Sequence, residues 1–198
     1  MMKDNQKKLK KDHIMDMAKA RFERFGYKKT TVDEISHDAR VSKKTIYEHF
    51  KNKEDIFVSI FIRETLIART VALKAAENID DPLEKIKKIG LASFEYQTKE
   101  PFFTHVLING DGMHTPYFQK KFIAFIQGGI INILSDILKE GMEKGRVRRC
   151  DPDLTAYFIF KLYQSVSYGR TLESTTKRES REHELQEVYE FIKNAIKK

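Results

Sequence analysis

Three lysines near the N-terminus lie where a helix would disfavour a positive charge. Lys43 and Lys44 fall in the first turn of a predicted short helix, and Lys53 falls in the first turn of the next one. The positive end of a helix dipole disfavours a cation there by up to about 1 kcal/mol. A phosphate group at these turns would offset that cost, because free backbone N–H groups would also donate to it. The spacing indicates a surface that binds a polyanion; the alternative is that these lysines are only solvated.

The distribution of charge agrees with an anionic partner. The 198 residues carry 37 Lys and Arg against 29 Asp and Glu, a formal net charge of +8. Residues 1–55 contain 15 of the basic and 10 of the acidic side chains, so most of the excess surrounds the three lysines. Such a balance suits nucleic acid but does not by itself establish it as the partner.

Short helices are predicted to position these side chains. Apolar residues at helical spacing predict a first helix that ends at Gly26. A capping box of Thr31 and Glu34 begins a second helix, and Ser42 caps a third that ends near Phe50. Two short helices joined by a tight turn behind a supporting helix have the size and order of a DNA-binding helix-turn-helix. In that motif the last of the three helices enters the major groove.

The same segment resembles a known family. Residues Thr30 to Asp55 are similar to the N-terminal signature of the TetR family of bacterial transcriptional regulators, and Phe22 to Tyr27 resembles the usual end of that family's first helix. The resemblance implies a homodimeric repressor that binds double-stranded operator DNA and is released by a small-molecule effector. It also implies DNA contacts from Thr31, Ser42, Lys43, Lys44, Thr45, Tyr47, His49 and Lys53.

These eight residues are expected to have different roles. The resemblance assigns base and phosphate contacts to the residues from Ser42 to Thr45, and DNA-backbone contacts to Tyr47 and His49. Thr31 and Lys53 are expected to contact phosphates at the start of their helices. Two alternatives remain: Tyr47 as a half-buried aromatic, and His49 as a helix-end residue without a DNA role.

One residue departs from the family pattern. The family commonly has glycine in the turn of the motif, where this chain has Arg40. A positive φ there would cost arginine about 1 kcal/mol relative to glycine. Either the cost is tolerated, or Arg40 adds a contact to the DNA backbone.

The remainder of the chain is predicted to be helical. A long fourth helix is expected from Lys53 to about Ala76, and three Asx-Pro or Thr-Pro pairs predict helix starts at Pro82, Pro116 and Pro152. The predicted helices cover about 82–98, 116–143 with a bend at Gly128-Gly129, 152–172 and 181–196. The fold class is therefore all-α with about nine helices. Residues 1–52 would form a three-helix DNA-binding domain, and residues 53–198 a larger effector-binding and dimerisation domain.

The two C-terminal helices predict a dimer interface. The helix at 152–172 is apolar almost all round, so both of its sides must be covered. A four-helix interface with two helices from each subunit would cover it, and a monomer with one deeply buried helix is the alternative. The predicted interface residues are Tyr157, Phe158, Val166, Val188, Tyr189 and Ile192.

An effector pocket is expected among the middle helices. Its predicted lining combines aromatic and apolar side chains with a few polar ones, namely Phe94, Gln97, Phe102, His105, Phe122, Phe125, Ile126, Tyr163 and Gln164. This composition favours a small apolar or aromatic effector. The alternative for each residue is an ordinary place in the core.

Other classes of function have less support. No phosphate loop, dinucleotide fingerprint, nucleophile elbow or His-Glu-x-x-His sequence is present, so we expect no enzyme, cofactor or metal site. The single cysteine, Cys150, and the lack of an apolar signal region suit the cytoplasm. The longest uncharged apolar stretch, 122–135, is too short for a bilayer span. A nonspecific nucleoid-associated protein and a transcriptional activator remain as alternatives.

Overall fold

The computed structural model describes residues 2–109, 112–168 and 178–198, apart from the side chains of a few residues within these ranges. Its helices are α1 (Met2–Phe25), α2 (Val32–Asp38), α3 (Lys43–His49), α4 (Lys53–Ala75), α5 (Pro82–Lys99), α6 (Pro101–Asn109), α7 (Pro116–Ile126), a π turn (Gln127–Ile131), α8 (Asn132–Glu143), α9 (Pro152–Tyr168) and α10 (Arg178–Ile196). Counting α7, the π turn and α8 as one continuous helix, the described residues hold nine helices, and the all-α prediction is confirmed. Within these ranges the one β-type pairing is an isolated bridge between Val147 and Lys197.

Helix starts follow the capping signals in the sequence. Asp81 accepts hydrogen bonds from the backbone N–H groups of the second and third residues of α5, both at 3.0 Å. Asp151 does the same at α9, and the hydroxyl of Thr115 accepts from Phe118 N at 3.1 Å at α7. Each cap uses atoms only a few residues apart, so the sequence predicts these starts correctly. The end predicted for α9 at residue 172 lies outside the described residues.

Helix α6 was not among the predicted helices. It begins at Pro101, in the first helical position, and the carboxylate of Glu100 accepts from Phe102 N at 3.4 Å. A related Glu-Pro pair is therefore present in the sequence, but a glutamate is a weaker capping residue than the aspartates and threonine at the other starts.

By its internal contacts the chain divides into two compact units, Met1–Thr65 with Glu100–Phe122, and Leu66–Lys99 with Ile123–Lys198. The first unit has a helix-turn-helix core, in which Ile14, Ala18, Phe22, Ile35, Ala39, Ile46 and Phe50 are buried. Beside this core, Phe57 packs edge-on against Phe22 at 5.6 Å between ring centroids. An aromatic cluster continues through Phe61, Phe102, Phe103, Phe118 and Phe122. Such ring pairs add about 0.5–1.5 kcal/mol each beyond the area they bury.

The second unit contains α5, α8, α9 and α10. Gly90 lies against the ring of Tyr163, and Gly141 lies against Val147 and Pro82, so a side chain at either glycine would collide. Tyr189 donates a 2.5 Å hydrogen bond to Glu84, which joins α10 to α5. The C-terminal end of α10 is held by Arg148, whose backbone N–H donates to Ile196 O at 2.8 Å.

The Gly128-Gly129 pair, where a bend was predicted, lies in the π turn. The continuous helix from Pro116 to Glu143 is, among the described residues, the one long and apolar enough to cross a membrane by length and composition alone. It is therefore longer than the apolar stretch counted from the sequence. Core helices pass the same test, and Leu134, Ser135 and Leu138 are buried inside this chain.

Candidate nucleic-acid interface

The second helix of the motif is fixed at its start by the predicted capping box. Thr31 N donates to the Glu34 carboxylate at 2.8 Å, and Glu34 N donates to the Thr31 hydroxyl oxygen at 3.3 Å. The Thr31 hydroxyl also donates to Glu34 at 2.9 Å. These hydrogen bonds lower the pKa of Glu34, and the bond from the backbone N–H of Thr31 has the largest effect. The carboxylate therefore stays charged at neutral pH. The hydroxyl that was expected to contact phosphate is thus engaged within the helix cap.

A single arginine of α1 holds both ends of α2. Arg21 donates to Glu34 and to Asp38 at 2.7 Å each. These carboxylates are four residues apart and lie on one face of α2. The hydrogen bond from Arg21 is the main reason why the pKa of Asp38 lies below its usual value. The two bonds hold α2 against α1. Because α3 follows α2 after a short turn, they also help to position α3.

The turn between α2 and α3 contains Arg40 with a φ of 51°. Arg40 N donates to His37 O, and Val41 N donates to Ser36 O, both at 3.1 Å. This pair of bonds is a Schellman motif, which requires a left-handed residue at the position of Arg40. The chain therefore adopts the usual turn without the usual glycine, and Arg40 bears the steric cost.

Helix α3 presents one polar face to the outside. Ser42 caps it by accepting from Thr45 N at 3.0 Å, and Ile46 is fully buried against the core. Tyr47 is 55% exposed, which excludes the alternative that it is a half-buried aromatic. Lys44 is exposed and forms no hydrogen bond or ion pair with any described residue. Ser42, Lys44 and Tyr47 thus lie on the solvent-exposed surface of the helix that would enter a groove.

Lys43 has a partner inside the motif. Its ammonium lies 2.6 Å from a carboxylate oxygen of Asp33, and both side chains are more than half exposed. An exposed pair of this kind contributes only about 0–1 kcal/mol. A phosphate can therefore compete for Lys43, although the internal carboxylate already offsets part of the helix-dipole cost.

Lys53 is bound differently from the prediction. Its ammonium donates to Tyr27 O and to Thr30 O at 2.8 Å each, and it lies 4.3 Å from the centroid of the Tyr27 ring. These contacts tie the start of α4 to the loop between α1 and α2. Two of the three N–H donors of the ammonium are thus engaged at the loop carbonyls, and the phosphate contact of Lys53 stays a prediction.

Three lysines of α1 add to the basic surface and were missed by sequence reasoning. Burial lowers the pKa of His49, and the charges of Lys7, Lys10 and Lys11 lower it further. Lys11 also lies 5.3 Å from the centroid of the Phe50 ring, at the end of α3. Residues 5–10 are exposed, whereas the buried positions of α1 begin at Ile14. The signal was the basic run at 7–11, which precedes the first core residue.

The predicted dimer residues divide by burial. Tyr157 and Phe158 of α9 are 40% and 52% exposed, as a subunit contact requires. Tyr189 and Ile192 are each 3% exposed, because they pack inside their own unit, so they leave no surface for a partner. Val166 and Val188 are half-buried. Leu154, 50% exposed, and Phe191, 64% exposed, extend the apolar surface and were not predicted.

The predicted effector residues fall into both units. Phe102 and Phe122 belong to the aromatic cluster of the first unit. The side chain of His105 lies outside the described residues. The second unit contains Phe94, Gln97, Phe125, Ile126, Tyr163 and Gln164. In that unit Phe94 and Ile126 are buried, whereas Gln97 donates to Ser93 and Gln164 accepts from Lys161.

Known proteins resemble this chain in sequence and in fold. The family of bacterial regulatory proteins of the tetR type matches residues 14–60. The HTH-type transcriptional regulator YhgD of Bacillus subtilis is 31% identical over 162 residues, which cover 80% of this chain and 83% of YhgD. The fatty acid degradation regulator FadR from Bacillus halodurans has a TM-score of 0.74 at 23% identity, with 93% of this chain and 94% of FadR covered. AibR, solved with isovaleryl coenzyme A and operator DNA, has a TM-score of 0.63 at 16% identity, with 92% and 97% covered. At these identities the two structural likenesses concern the fold.

Proposed function

Because the chain belongs to the TetR family of bacterial transcriptional regulators, we propose that it represses transcription from a palindromic operator and that a small-molecule effector releases it. One observation carries the DNA-binding part: a rigidly held α3 exposes Ser42, Lys44 and Tyr47 on its outer face. Arg21 and the capping box support α2 behind it. The free protein therefore already holds α3 in a position from which it can enter a DNA groove.

We assign each of these residues a separate role. Lys44, Thr45 and Ser42 read base edges or nearby phosphates, and Tyr47 contacts the sugar-phosphate backbone. Lys43 exchanges Asp33 for a phosphate on binding. Thr31 contributes through the start of α2, and His49 lies beside the α1 lysines at the edge of the surface. Lys53 acts indirectly, by holding the loop in front of α2.

Dimerisation would be required for this function. Paired recognition helices read DNA half-sites about one DNA turn apart, so each subunit of a dimer reads one half-site. The apolar stripe of Leu154, Tyr157 and Phe158 on α9, together with Phe191 on α10, is the surface that we assign to the subunit contact, with Val166 and Val188 at its margins. Residues 1–52 would serve DNA binding, and residues 53–198 would serve dimerisation and effector binding. We place the protein in the cytoplasm and assign it no enzyme activity.

The first experiment compares DNA sequences at two salt concentrations. Purified protein is titrated against DNA from upstream of its own gene and against random DNA, with fluorescence anisotropy as the readout. A specific repressor keeps a strong preference at the higher salt, because base contacts do not depend on counterion release. Equal affinity for both DNAs, with a steep fall at the higher salt concentration, would favour a nonspecific nucleoid-associated protein.

Two variants test the base-reading residues. Lys44→Ala and Thr45→Ala should change the relative affinity among operator variants, whereas loss of a phosphate contact lowers all affinities alike. Lys51→Ala is the matched control, because Lys51 is exposed nearby but lies outside α3. If all three variants lost affinity equally on every DNA sequence, Lys44 and Thr45 would not be base-reading residues. A reporter gene under the same operator separates repression from activation.

A further inference from the structure

Arg69 occupies an unusual position in the second unit. It lies on α4, is half-buried, and has its guanidinium carbon 5.9 Å from the centroid of the Phe125 ring. A Cβ placed on Gly129 would lie 2.6 Å from Nη1 of Arg69. Gly129 is itself buried. The charged end of the arginine thus lies beside an aromatic ring and against the backbone of a buried glycine.

The other half-buried arginines of the described chain have carboxylate partners. Arg21 binds Glu34 and Asp38, and Arg63 binds Asp16 and Glu64. Arg69 forms no ion pair and no hydrogen bond with any described residue. The ring of Phe125 attracts the guanidinium, but it accepts none of its five N–H donors in the way a carboxylate does.

Within the described part of the chain, Arg69 carries a half-buried positive charge without an anion. Removing a guanidinium from water costs free energy unless hydrogen bonds and an opposite charge replace the lost hydration. The chain could have lowered this cost by placing an Asp or Glu beside Arg69, as it does beside Arg21 and Arg63. Among the described residues no Asp or Glu is paired with Arg69, so the guanidinium is available to a charged group that comes from outside the chain.

The backbone beside Arg69 is also irregular. Gly129 lies within the π turn, Gln127–Ile131, which interrupts an otherwise continuous helix. Turns of this kind cost regular helical hydrogen bonds and occur frequently at functional sites. At Gly129 the absence of a side chain is what lets the guanidinium approach, since a Cβ there would collide with it.

We propose that Arg69 binds the carboxylate or phosphate of an amphiphilic effector whose apolar part lies against Phe125. The planar guanidinium can donate two parallel hydrogen bonds to either group. This inference rests on the proposed function and adds a charge to the apolar or aromatic effector expected from the sequence. It makes Arg69 the residue that separates acidic effectors from neutral ones of the same shape.

The test uses three probes with one alkyl chain: octanoate, octyl phosphate and octanol. Each is titrated into the full-length protein by isothermal calorimetry. At least one of the two anions should bind 10-fold or more tightly than octanol, and the preferred anion identifies the head group. Arg69→Gln should weaken the anion at least 10-fold and leave octanol unchanged, and Arg69→Lys should recover part of the loss. Arg149→Gln, which removes an exposed charge from the same unit, should change nothing.

Three results would overturn the inference. They are octanol binding as tightly as the anions, an unchanged anion affinity in Arg69→Gln, and no binding of any probe at millimolar concentration. A fourth comes from stability: Arg69→Met should melt at or above the wild-type temperature, because it removes an unpaired charge. A drop of several degrees would instead make Arg69 a structural residue.

Failure of this inference is distinguishable from failure of the proposed function. Without probe, Arg69→Gln should bind operator DNA as the wild type does, since Arg69 is not part of the helix-turn-helix. If wild-type protein showed no operator preference, the regulatory proposal would fail while the calorimetry still reported on the anion site.

Discussion

The hydroxyl of Tyr117 donates a 2.6 Å hydrogen bond to the carboxylate of Asp55. This bond joins the first turn of α7 to the first turn of α4, and the Thr115 hydroxyl makes a parallel bond to Glu54. The other carboxylate oxygen of Asp55 accepts from Lys51 N at 3.0 Å, in the segment that leaves α3. A displacement of the start of α7 would therefore shift the segment that follows α3.

Tyr117→Phe should lower the free energy of unfolding by about 1–2 kcal/mol, because it leaves one oxygen of the Asp55 carboxylate without its donor. Urea denaturation measures this, and Tyr47→Phe, which removes an exposed hydroxyl, is the control. The bond to Asp55 raises the pKa of Tyr117 from its usual 10 to about 12. Its contribution to stability is therefore complete below pH 10 and lost as the pH rises from 10 to about 12. The difference in tyrosinate absorbance between wild type and Tyr117→Phe should show a midpoint near pH 12. A midpoint near pH 10 would contradict the hydrogen bond.

Arg40→Gly should stabilise the protein by about 0.5–1 kcal/mol. The reason is the φ of 51°, which glycine adopts without the steric cost that a Cβ imposes. Arg40→Ala removes the same charge but keeps a Cβ, so it should show no such gain in denaturant unfolding. Equal stabilisation by the two variants would mean that charge, and not backbone conformation, is responsible. Any DNA contact of Arg40 would be lost equally in both.

Lys53→Ala should lower the free energy of unfolding by about 2–3 kcal/mol, because it removes two charge-assisted hydrogen bonds to backbone carbonyls. Lys51→Ala should change it little. In DNA titrations the affinity should fall for all sequences while the dependence on salt stays unchanged, as expected of a positioning residue. A reduction of the salt slope by about 0.9 would instead reinstate Lys53 as a phosphate contact.

Lys7→Gln combined with Lys10→Gln should weaken operator and random DNA by the same factor. Each phosphate contact that is lost should reduce the slope of log affinity against log salt by about 0.9. Lys74→Gln with Lys88→Gln removes the same charge from exposed positions of α4 and α5. Both pairs lowering affinity equally would show a general effect of net charge, and the α1 surface would then have no particular role.

Lys19 anchors a second network in the first unit. It binds Glu64, 3% exposed, at 3.1 Å and Glu100 at 2.7 Å, which links α1 to α4 and to the start of α6. Burial would lower the pKa of Lys19, but hydrogen bonds to Glu100 and Glu64 outweigh it and raise the pKa. Lys19→Met should cost about 3 kcal/mol, because it leaves a buried carboxylate with less compensation.

A double-mutant cycle checks this assignment by urea unfolding. Adding Glu64→Gln to Lys19→Met should recover part of the loss, with a coupling of about 1 kcal/mol or more. Lys99→Met, which breaks an exposed pair with Glu95, should cost less than about 1 kcal/mol. Strict additivity of the two substitutions would show that Lys19 and Glu64 do not depend on each other.

The features that the sequence determined by itself are local. The Thr31–Glu34 capping box, the cap at Ser42 and the helix starts at Pro82 and Pro152 use atoms within three or four residues of one another. Their geometry is therefore set by the adjoining side chains, whatever the rest of the chain does. The strained turn at Arg40 belongs to the same class, because the Schellman bonds span only a few residues.

Tertiary structure alone decided what the charged and apolar side chains face. Lys53 is predicted to contact phosphate, and its ammonium also donates to a carbonyl 26 residues earlier, a bond that no local pattern encodes. Tyr189 is predicted to be an interface residue, but it is buried in its own unit and donates a hydrogen bond to Glu84, 105 residues away. Arg69 was not singled out at all, because only its surroundings in the described part of the chain show that it has no carboxylate partner there. Periodicity places a residue on a helix face, and only the packing of distant helices determines whether that face meets core, partner or ligand.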